Sequence, residues 1–469
     1  MKDRCRLAQS ITAAVGLVAV LLITVLGFLL SAESADAIPA FARKYQTACQ
    51  TCHVIIPKLN SFGEAFRLGG YQIPDVDELY VKDEPLVLGA EPWKEEFPDA
   101  VWPATIAGMP PIALRFINDT QWTNSDGGIG GTPDTKWNFE FPHEFEILTG
   151  GRIGSSIGFF GEVEWHVTGG ISTKQAFAVL NPVPRVNVKI GLMDQQFFFS
   201  HNNATRIQKN HPLWGNKKPS DWRIGGIGRS PVGFRLQNEQ PGIEVSGTVA
   251  RRLHIGAGVV NGSGNSRYDN DNHKDSYFKA KVKLFGRDFL GTFNEGEEIS
   301  MDTQSAGSWV DNSLLLEAFG YFGEWASPDP SIENNAFTQV GFAARAKVQD
   351  LELAAGVVKG HHDNPWFTAP ALETDSTSWF FNTEYMIYPW LMGRAIYESL
   401  DWDEPPGSFV GSGYGGSLDQ DRFLVGPIVA LRPNMRVAFE FEYYTHHKAA
   451  EVNGLSKPHN FWIRMDYAF

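Results

Sequence analysis

Apolar and polar residues alternate along most of the chain after residue 111, in short segments separated by polar connections. Within 337–348, for example, Val340, Phe342 and Ala344 are apolar at every second position. Strict alternation of this kind predicts β-strands with one apolar and one polar face. Sixteen segments are predicted as strands: 112–122, 137–148, 153–167, 176–180, 186–199, 243–250, 253–260, 277–285, 314–323, 337–348, 351–358, 379–388, 391–398, 422–431, 435–444 and 460–469.

The connections between these segments alternate in length. Tight turns are predicted at 149–152, 181–185, 251–252, 349–350, 389–390 and 432–434. Long, polar, glycine-rich segments follow the intervening strands, as at 359–377, 399–421 and 445–459. Short turns on one side and long loops on the other are typical of outer-membrane β-barrels. The stretch 286–312 does not follow this alternation of short turns and long loops. A barrel of fourteen or eighteen strands is therefore an alternative.

The polar faces of the predicted strands carry charge. Glu162 and Glu164 alternate with Val163 and Trp165, and lysines recur at every second position of 277–285. A Lys or Arg facing lipid near the midplane costs about 2–4 kcal/mol, so the charged face must line the lumen. The predicted fold is therefore mainly β, a transmembrane antiparallel β-barrel of about 16 strands over 112–469. A soluble barrel or sandwich with these charges in water is the alternative.

Composition narrows the class of protein. The 469 residues carry a formal net charge of −14, 47 glycines and 13% aromatic residues. Mean hydropathy is −0.22. An acidic chain is a poor partner for nucleic acid, so no nucleic-acid partner is expected. The low hydropathy excludes a helical membrane protein and suits many short amphipathic strands.

Residues 1–37 are predicted to form a secretory signal peptide. Basic residues open the chain, an apolar run spans 11–30, and Ala35-Asp36-Ala37 has the small-residue pattern of a cleavage site. The apolar run approaches the length of a spanning helix, so a retained anchor is the alternative. Cys5 precedes the apolar run and is expected to leave with the leader.

The only two cysteines that remain lie in the sequence Cys49-Gln50-Thr51-Cys52-His53. This is the spacing of c-type haem attachment, in which each thiol forms a thioether with one vinyl group and the histidine binds the iron. A redox disulfide would not need the histidine, and a zinc site would need two further ligands at similar spacing. We expect one covalently attached haem c, held by Cys49, Cys52 and His53.

Residues 38–111 are predicted to form a small monohaem cytochrome c domain with a tether or plug. An amphipathic helix is predicted over 59–70, capped by Asn60 or Ser61 and ended by the glycines at 69–70, with Phe62, Ala65 and Phe66 facing the haem. The segment is too short for a large core of its own. Packing of apolar side chains on the haem would supply the apolar burial that this short segment lacks.

Residues 40–53 and 57–71 resemble the N-terminal module of the fused monohaem cytochrome-porins, a family that includes outer-membrane iron oxidases of iron-oxidising bacteria. The closing segment 460–469, which ends on Phe469, resembles the last strand of bacterial outer-membrane barrels. The resemblance implies electron transfer across the bacterial outer membrane through a single haem. The haem domain would lie on the periplasmic side or inside the lumen.

The family resemblance leaves the direction of electron flow open. Our main hypothesis is inward transfer from extracellular Fe(II), as substrate, to a periplasmic c-type cytochrome or other carrier, which would make the chain an Fe(II):cytochrome c oxidoreductase. Outward transfer to an extracellular acceptor is one alternative. A diffusion porin whose haem is structural or regulatory is the other.

The distal haem ligand is predicted to be Met109, the only methionine between His53 and the first predicted strand. His143 and His166 are the rivals, and an open sixth position is a further alternative. Loop clusters of histidine and carboxylate, such as the one around His361 and His362, suit ferrous iron chemically. We predict that no single loop cluster is a tight iron site, because exposed acidic loops collect such residues anyway.

Overall fold

The structure is a computed structural model. It describes residues 40–82, 86–88, 95–96, 104–106, 111–125, 134–153, 157–166, 170–198, 205, 207, 236, 239–262, 272–293, 297, 310–327, 329–365, 367, 369–403, 419–447, 457 and 459–469. The predicted signal peptide and Met109 lie outside these residues.

Sixteen antiparallel strands form a closed barrel. They are β5 Ile112–Ser125, β6 Asp134–Ile153, β7 Ile157–His166, β8 Gly170–Val183, β9 Val186–Asp194, β10 Glu239–Val249, β11 Leu253–Val260, β12 Asp275–Phe285, β13 Ser313–Trp325, β14 Asn335–Val348, β15 Leu351–His362, β16 Thr374–Tyr388, β17 Leu391–Trp402, β18 Gln420–Arg432, β19 Met435–His447 and β20 His459–Ala468. Each strand pairs with its sequence neighbours, and β20 closes the barrel on β5. The prediction of a sixteen-stranded antiparallel barrel is confirmed.

The turn predicted at 149–152 is wrong, because β6 continues through it to Ile153. Gly150 is inside the strand for a reason that the sequence does not reveal. A Cβ at this position would stand 2.6 Å from Cζ of Phe41, which belongs to the N-terminal segment. The glycine therefore allows that segment to lie directly against the barrel wall. The segment predicted at 186–199 is also shorter than expected, and β9 ends at Asp194.

The outward and lumenal faces of the strands are as predicted. On β14, Val340 and Phe342 are about half exposed, whereas Gln339 and Arg345 are almost fully buried. The lysines of β12 are likewise buried on the lumenal side. An apolar exposed belt around a charged interior is the arrangement of an outer-membrane barrel, since lipid would cover the belt.

Lumenal charges are paired between strands. Lys279 Nζ lies 2.6 Å from Glu244 Oε2, and Arg422 Nη2 lies 2.7 Å from Glu398 Oε2. Arg394 Nη2 lies 2.7 Å from Glu440 Oε2. Buried charges are tolerated when they are paired and hydrogen-bonded, so these contacts permit a charged inner wall.

The N-terminal segment contains short elements: helices α1 Ala40–Tyr45, α2 Ser61–Leu68 and α3 Asp77–Tyr80, a 3-10 helix Cys49–Thr51, and strands β1 His53–Ile55, β2 Lys58–Leu59, β3 Leu86–Leu88 and β4 Ala104–Ile106. We call residues 40–82 the plug. Helix α2 lies within the predicted range, and Asn60 caps it by accepting a 2.9 Å hydrogen bond from Gly63 N. Among the described residues, no helix has the length and apolarity to cross a membrane.

Aromatic side chains join the plug to the barrel wall. Phe41 and Phe66 meet edge to face at a centroid distance of 5.1 Å. Tyr71 stacks on Phe160 of β7 at 5.1 Å and lies 5.9 Å from Phe177 of β8. Such ring pairs stabilise a contact beyond the area that they bury. These ring contacts hold the plug against the barrel wall at β7 and β8.

Buried ion pairs hold the opposite side of the plug. Arg345 Nη2 on β14 lies 2.6 Å from Oε1 of Glu64 in α2. Lys58 Nζ contacts Glu384 of β16 and lies 3.0 Å from Glu352 Oε1 of β15. Burial lowers the pKa of Lys58 to about 8, and Glu352 opposes that shift. Since these partners are all buried, each pair depends on the plug remaining in place.

Two connections between strands also reach the plug or its partners. In the connection 286–312, Asp311 accepts a hydrogen bond from the Ser61 hydroxyl, and Gly291 lies beside Phe62. In the connection 195–238, the Thr205 hydroxyl donates to Glu384 Oε1 at 2.7 Å. The connection 286–312 interrupts the predicted alternation of strands and turns. Its described part is thus an insert that packs on helix α2.

We predict that Arg345→Met loosens the plug. Burial alone would raise the pKa of Glu64, but Arg345, Lys347 and Lys283 outweigh it and hold that pKa well below its usual range. The stabilisation is therefore present above the ordinary Glu pKa of about 4.3 and is lost only as pH falls towards the lowered value. Removing Arg345 breaks a buried ion pair and leaves Glu64 with less compensating positive charge, which costs roughly 3–5 kcal/mol.

Amide hydrogen exchange of residues 61–68 at neutral pH measures this loss. Exchange should accelerate in Arg345→Met and return towards the original rate when Glu64→Gln is added, because the second change removes the buried negative charge. Unchanged exchange in the single variant would show that the ion pair does not hold the plug.

Candidate functional site

The two cysteines lie at the ends of one turn of 3-10 helix. Cys52 N donates to Cys49 O at 3.2 Å, which brings both side chains to the same short loop. Cys49 is buried, Cys52 is half-buried, and no disulfide joins them. Burial raises the pKa of Cys49 to about 11 and that of Cys52 to about 12, so both are thiols at neutral pH.

Helix α2 fixes the conformation of this loop. The Asn60 side-chain amide donates to the carbonyl oxygens of Gln50 and Thr51, both at 3.0 Å. Asn60 N donates to Cys52 O at 2.9 Å. A Cβ on Gly63 would stand 2.2 Å from Cys52 O, so only glycine allows the helix to approach this closely. The cap residue of the helix thus also positions the two thiols.

His53 follows directly and has a defined ring orientation. Its Nδ1 lies 3.2 Å from the carbonyl oxygen of Pro57. When Nδ1–H donates to that carbonyl, Nε2 is the nitrogen that can bind a metal, which is the usual arrangement of metal-ligating histidines. Burial lowers the pKa of His53 to about 4, the carbonyls of Pro57 and Lys58 oppose the shift, and the charge of Arg115 adds to it. The ring is therefore neutral, as iron ligation requires.

A buried donor near this segment also fits a haem. Val54 and Ile55 belong to one apolar cluster with Met386, Met392 and Trp462 of the barrel wall. The indole Nε1 of Trp462 is buried and has no hydrogen-bond partner among the described residues. Buried donors are normally satisfied, so an additional acceptor is expected there. A haem propionate is such an acceptor, and the thiols and imidazole nearby are the donor set of a c-type haem.

The rival distal ligands lie together on the lumen wall. His143 on β6 and His166 at the end of β7 have ring centroids 6.2 Å apart. Both contact carboxylates: His143 Nε2 and His166 Nδ1 each lie 3.5 Å from Glu144 Oε1. Sequence reasoning placed Glu144 and His166 on the polar face but did not show that they meet. Met109 is outside the described residues and stays a prediction.

Strand β15 places His361 and His362, the two histidines of the predicted loop cluster, on opposite faces. His361 is half exposed and lies between Asp375 Oδ1 at 2.7 Å and Asp363 Oδ1 at 3.4 Å. His362 is fully buried on the other face, where Asn335 and Gln339 hydrogen-bond its ring. Adjacent strand residues point to opposite faces, so these two histidines do not share one site.

No protein-family model and no curated protein matches this sequence. Solved structures with a similar fold include the outer-membrane channel DcaP of Acinetobacter baumannii, with 12% identity over 76% of this chain and 96% of that chain and a TM-score of 0.48. OmpF of Salmonella typhi, solved with daunomycin, matches at 11% identity over 76% and 97%, with a TM-score of 0.47. An anion-selective porin from Comamonas acidovorans matches at 10% over 76% and 99%, with a TM-score of 0.46. The similarity to these three structures is one of fold.

Proposed function

We propose that this chain carries electrons across the bacterial outer membrane through one haem c attached at Cys49 and Cys52, with His53 as proximal ligand. The observation that carries the proposal is that these three residues belong to a plug packed inside a transmembrane barrel. A haem held there supplies a one-electron carrier within an otherwise insulating membrane. The chain would then be a member of the fused monohaem cytochrome-porins, the family that residues 40–53 and 57–71 resemble.

The plug supports this function over free diffusion because its contacts reach around the lumen. Its aromatic side meets β7 and β8, and its charged side meets β14, β15 and β16. Val54 and Ile55 share a cluster with residues of β18, β19 and β20. A sixteen-stranded barrel would otherwise leave an aqueous channel. A segment anchored on so many strands narrows that channel and surrounds the haem-binding motif with protein.

The direction we propose is inward, from extracellular Fe(II) as substrate to a periplasmic c-type cytochrome or a similar carrier. Each Fe(II) ion would lose one electron and become Fe(III), and the periplasmic carrier would gain that electron. The plug enters from the side of the short turns, since Phe41 lies against Gly150 near the end of β6. In outer-membrane barrels the short turns face the periplasm, where such a carrier is available.

Anaerobic mixing of the oxidised protein in detergent with Fe(II) tests the proposal. The absorption bands of a reduced c-type haem should appear with Fe(II) and not with Mn(II), which has the same charge but does not donate an electron under these conditions. A haem that dithionite reduces and Fe(II) does not, in a protein that passes small sugars in a liposome-swelling assay, would contradict the proposal and favour the diffusion porin.

A further inference from the structure

Imidazoles and carboxylates gather on the lumen wall formed by β5, β6 and β7. Two sets of three have ligand atoms within 4.8 Å of one another; they are Asp119, Glu140 and His143, and Glu144, Glu164 and His166. A third set, of Glu146, Glu162 and Glu164, shares Glu164 with the second. The donor atoms therefore form one continuous group along the wall, outside the haem-binding motif.

Glu144 connects the two histidines. Its Oε1 lies 3.5 Å from His143 Nε2 and 3.5 Å from His166 Nδ1. His166 Nε2 lies 3.0 Å from Glu164 Oε2. Two imidazoles with one or two carboxylates are the ligands that bind ferrous iron in non-haem sites. A cation beside Glu144 Oε1 would therefore be within reach of one ring nitrogen of each histidine.

The group contains more carboxylates than cationic partners. Its carboxylates number six: Asp119, Glu140, Glu144, Glu146, Glu162 and Glu164. Among the described residues, Arg464 lies 2.6 Å from Asp119, Arg115 lies 2.9 Å from Glu146 and Lys174 lies 3.2 Å from Glu164, so each of the three buried carboxylates has a cationic partner. Glu140, Glu144 and Glu162 are half-buried, and a bound divalent cation would offset the negative charge that they add.

Gln175 gives a second, independent indication of a ligand. This side chain on β8 is only 5% exposed, and its Nε2 donates to Glu162 Oε2 at 3.3 Å. The carboxamide oxygen Oε1 is buried and has no hydrogen-bond partner among the described residues. A cation or a water held beside Glu162 would satisfy this buried acceptor.

We propose that His143, Glu144, Glu164 and His166 form a site for a divalent first-row cation of the Fe(II) class. His166 is the last residue of β7, next to the short connection 167–169 on the long-loop side. The side chains of His143 and His166 are 27% and 30% exposed, so a cation in the lumen can reach them. In this assignment neither histidine is the sixth ligand of the haem.

The position of the site suits the entry of an electron donor. Glu146 lies two residues further along β6, about 7 Å at the usual strand rise, and bonds Arg115. The site thus lies on the long-loop side of the ion pair between Glu146 and Arg115. Its use as the entry point for Fe(II) rests on the proposed function, whereas cation binding does not.

Equilibrium dialysis of the untagged, purified protein against Co(II), followed by measurement of bound cobalt, tests the binding site without interference from the absorption of a haem. The wild-type chain should bind one Co(II) at this site. The variant His143→Gln with His166→Gln should bind it about 100-fold more weakly or not at all. Glu144→Gln provides a second variant if the double variant does not fold.

His361→Gln is the matched control, because His361 also lies between two carboxylates but outside this group. Co(II) affinity should be unchanged in the control. Wild-type affinity in both lumenal variants, or loss of binding in the control, would overturn the assignment.

Haem reduction separates this inference from the proposed function. Dithionite should reduce the haem of the double histidine variant normally, whereas reduction by Fe(II) should be slower than in the wild-type chain. Equal Fe(II) rates in a variant that has lost Co(II) binding would overturn the role as entry point. Normal Co(II) binding by a wild-type chain that Fe(II) cannot reduce would support the site and contradict the proposed function instead.

Discussion

The double variant Cys49→Ala, Cys52→Ala is expected to insert as a heat-modifiable barrel that contains no covalent haem and carries no electrons. Cys49 and Cys52 are the only cysteines after Cys5, so attachment should be lost completely. The barrel should persist because its strands satisfy their own hydrogen bonds around a closed circuit.

The measurements are the haem content of the purified protein after denaturation and its electrophoretic mobility before and after heating. Gln50→Ala is the matched control, since it changes the same loop and keeps both thiols and His53; it should retain one haem per chain. Failure of the double variant to insert would show that haem attachment is needed for barrel assembly, and that the plug and the barrel do not fold as separate units.

Deletion of residues 40–82 is expected to convert the protein into an open channel. The plug contacts strands around the lumen, and without it a sixteen-stranded barrel encloses water. Conductance through a planar bilayer should rise by about an order of magnitude or more. The connection that carries Thr205 also enters the lumen, so some constriction should remain.

Conductance of single channels, compared with that of the full chain, decides this prediction. Arg345→Met is an informative intermediate, because it weakens one attachment of the plug and should give brief openings and no permanent channel. Equal conductance of the deleted and full chains would show that the plug does not block the lumen, and would favour a diffusion porin.

The barrel could be predicted from the sequence because its strands repeat one local rule. Alternation gave the faces of β12 and β14 correctly, since each side chain is either against lipid or inside the lumen. The same rule failed after Asp194. Phe197 and Phe198 continue an apolar pattern, yet they pack inside the barrel against Phe319, at centroid distances of 4.5 and 5.0 Å.

The candidate sites were predictable only in part, for a related reason. The c-type haem motif at Cys49, Cys52 and His53 is local, so spacing alone names its residues, and haem attachment there stays a prediction. The partners that hold it are distant in the chain: Lys58 meets Glu384, and Glu64 meets Arg345. Nothing in the alternation shows which lumenal charges meet the plug, or that Glu144 lies between two histidines. Those contacts depend on strand register and on how the plug enters the barrel.

Electron transfer through vesicles that contain the protein tests the central claim most directly. A soluble ferric c-type cytochrome is enclosed in the vesicles, and Fe(II) is added outside under argon. The proposal predicts that the enclosed cytochrome becomes reduced, with one electron gained for each Fe(II) oxidised, and that vesicles with the Cys49→Ala, Cys52→Ala variant show no reduction. Equal reduction with both proteins, or none with the wild-type chain, would contradict it.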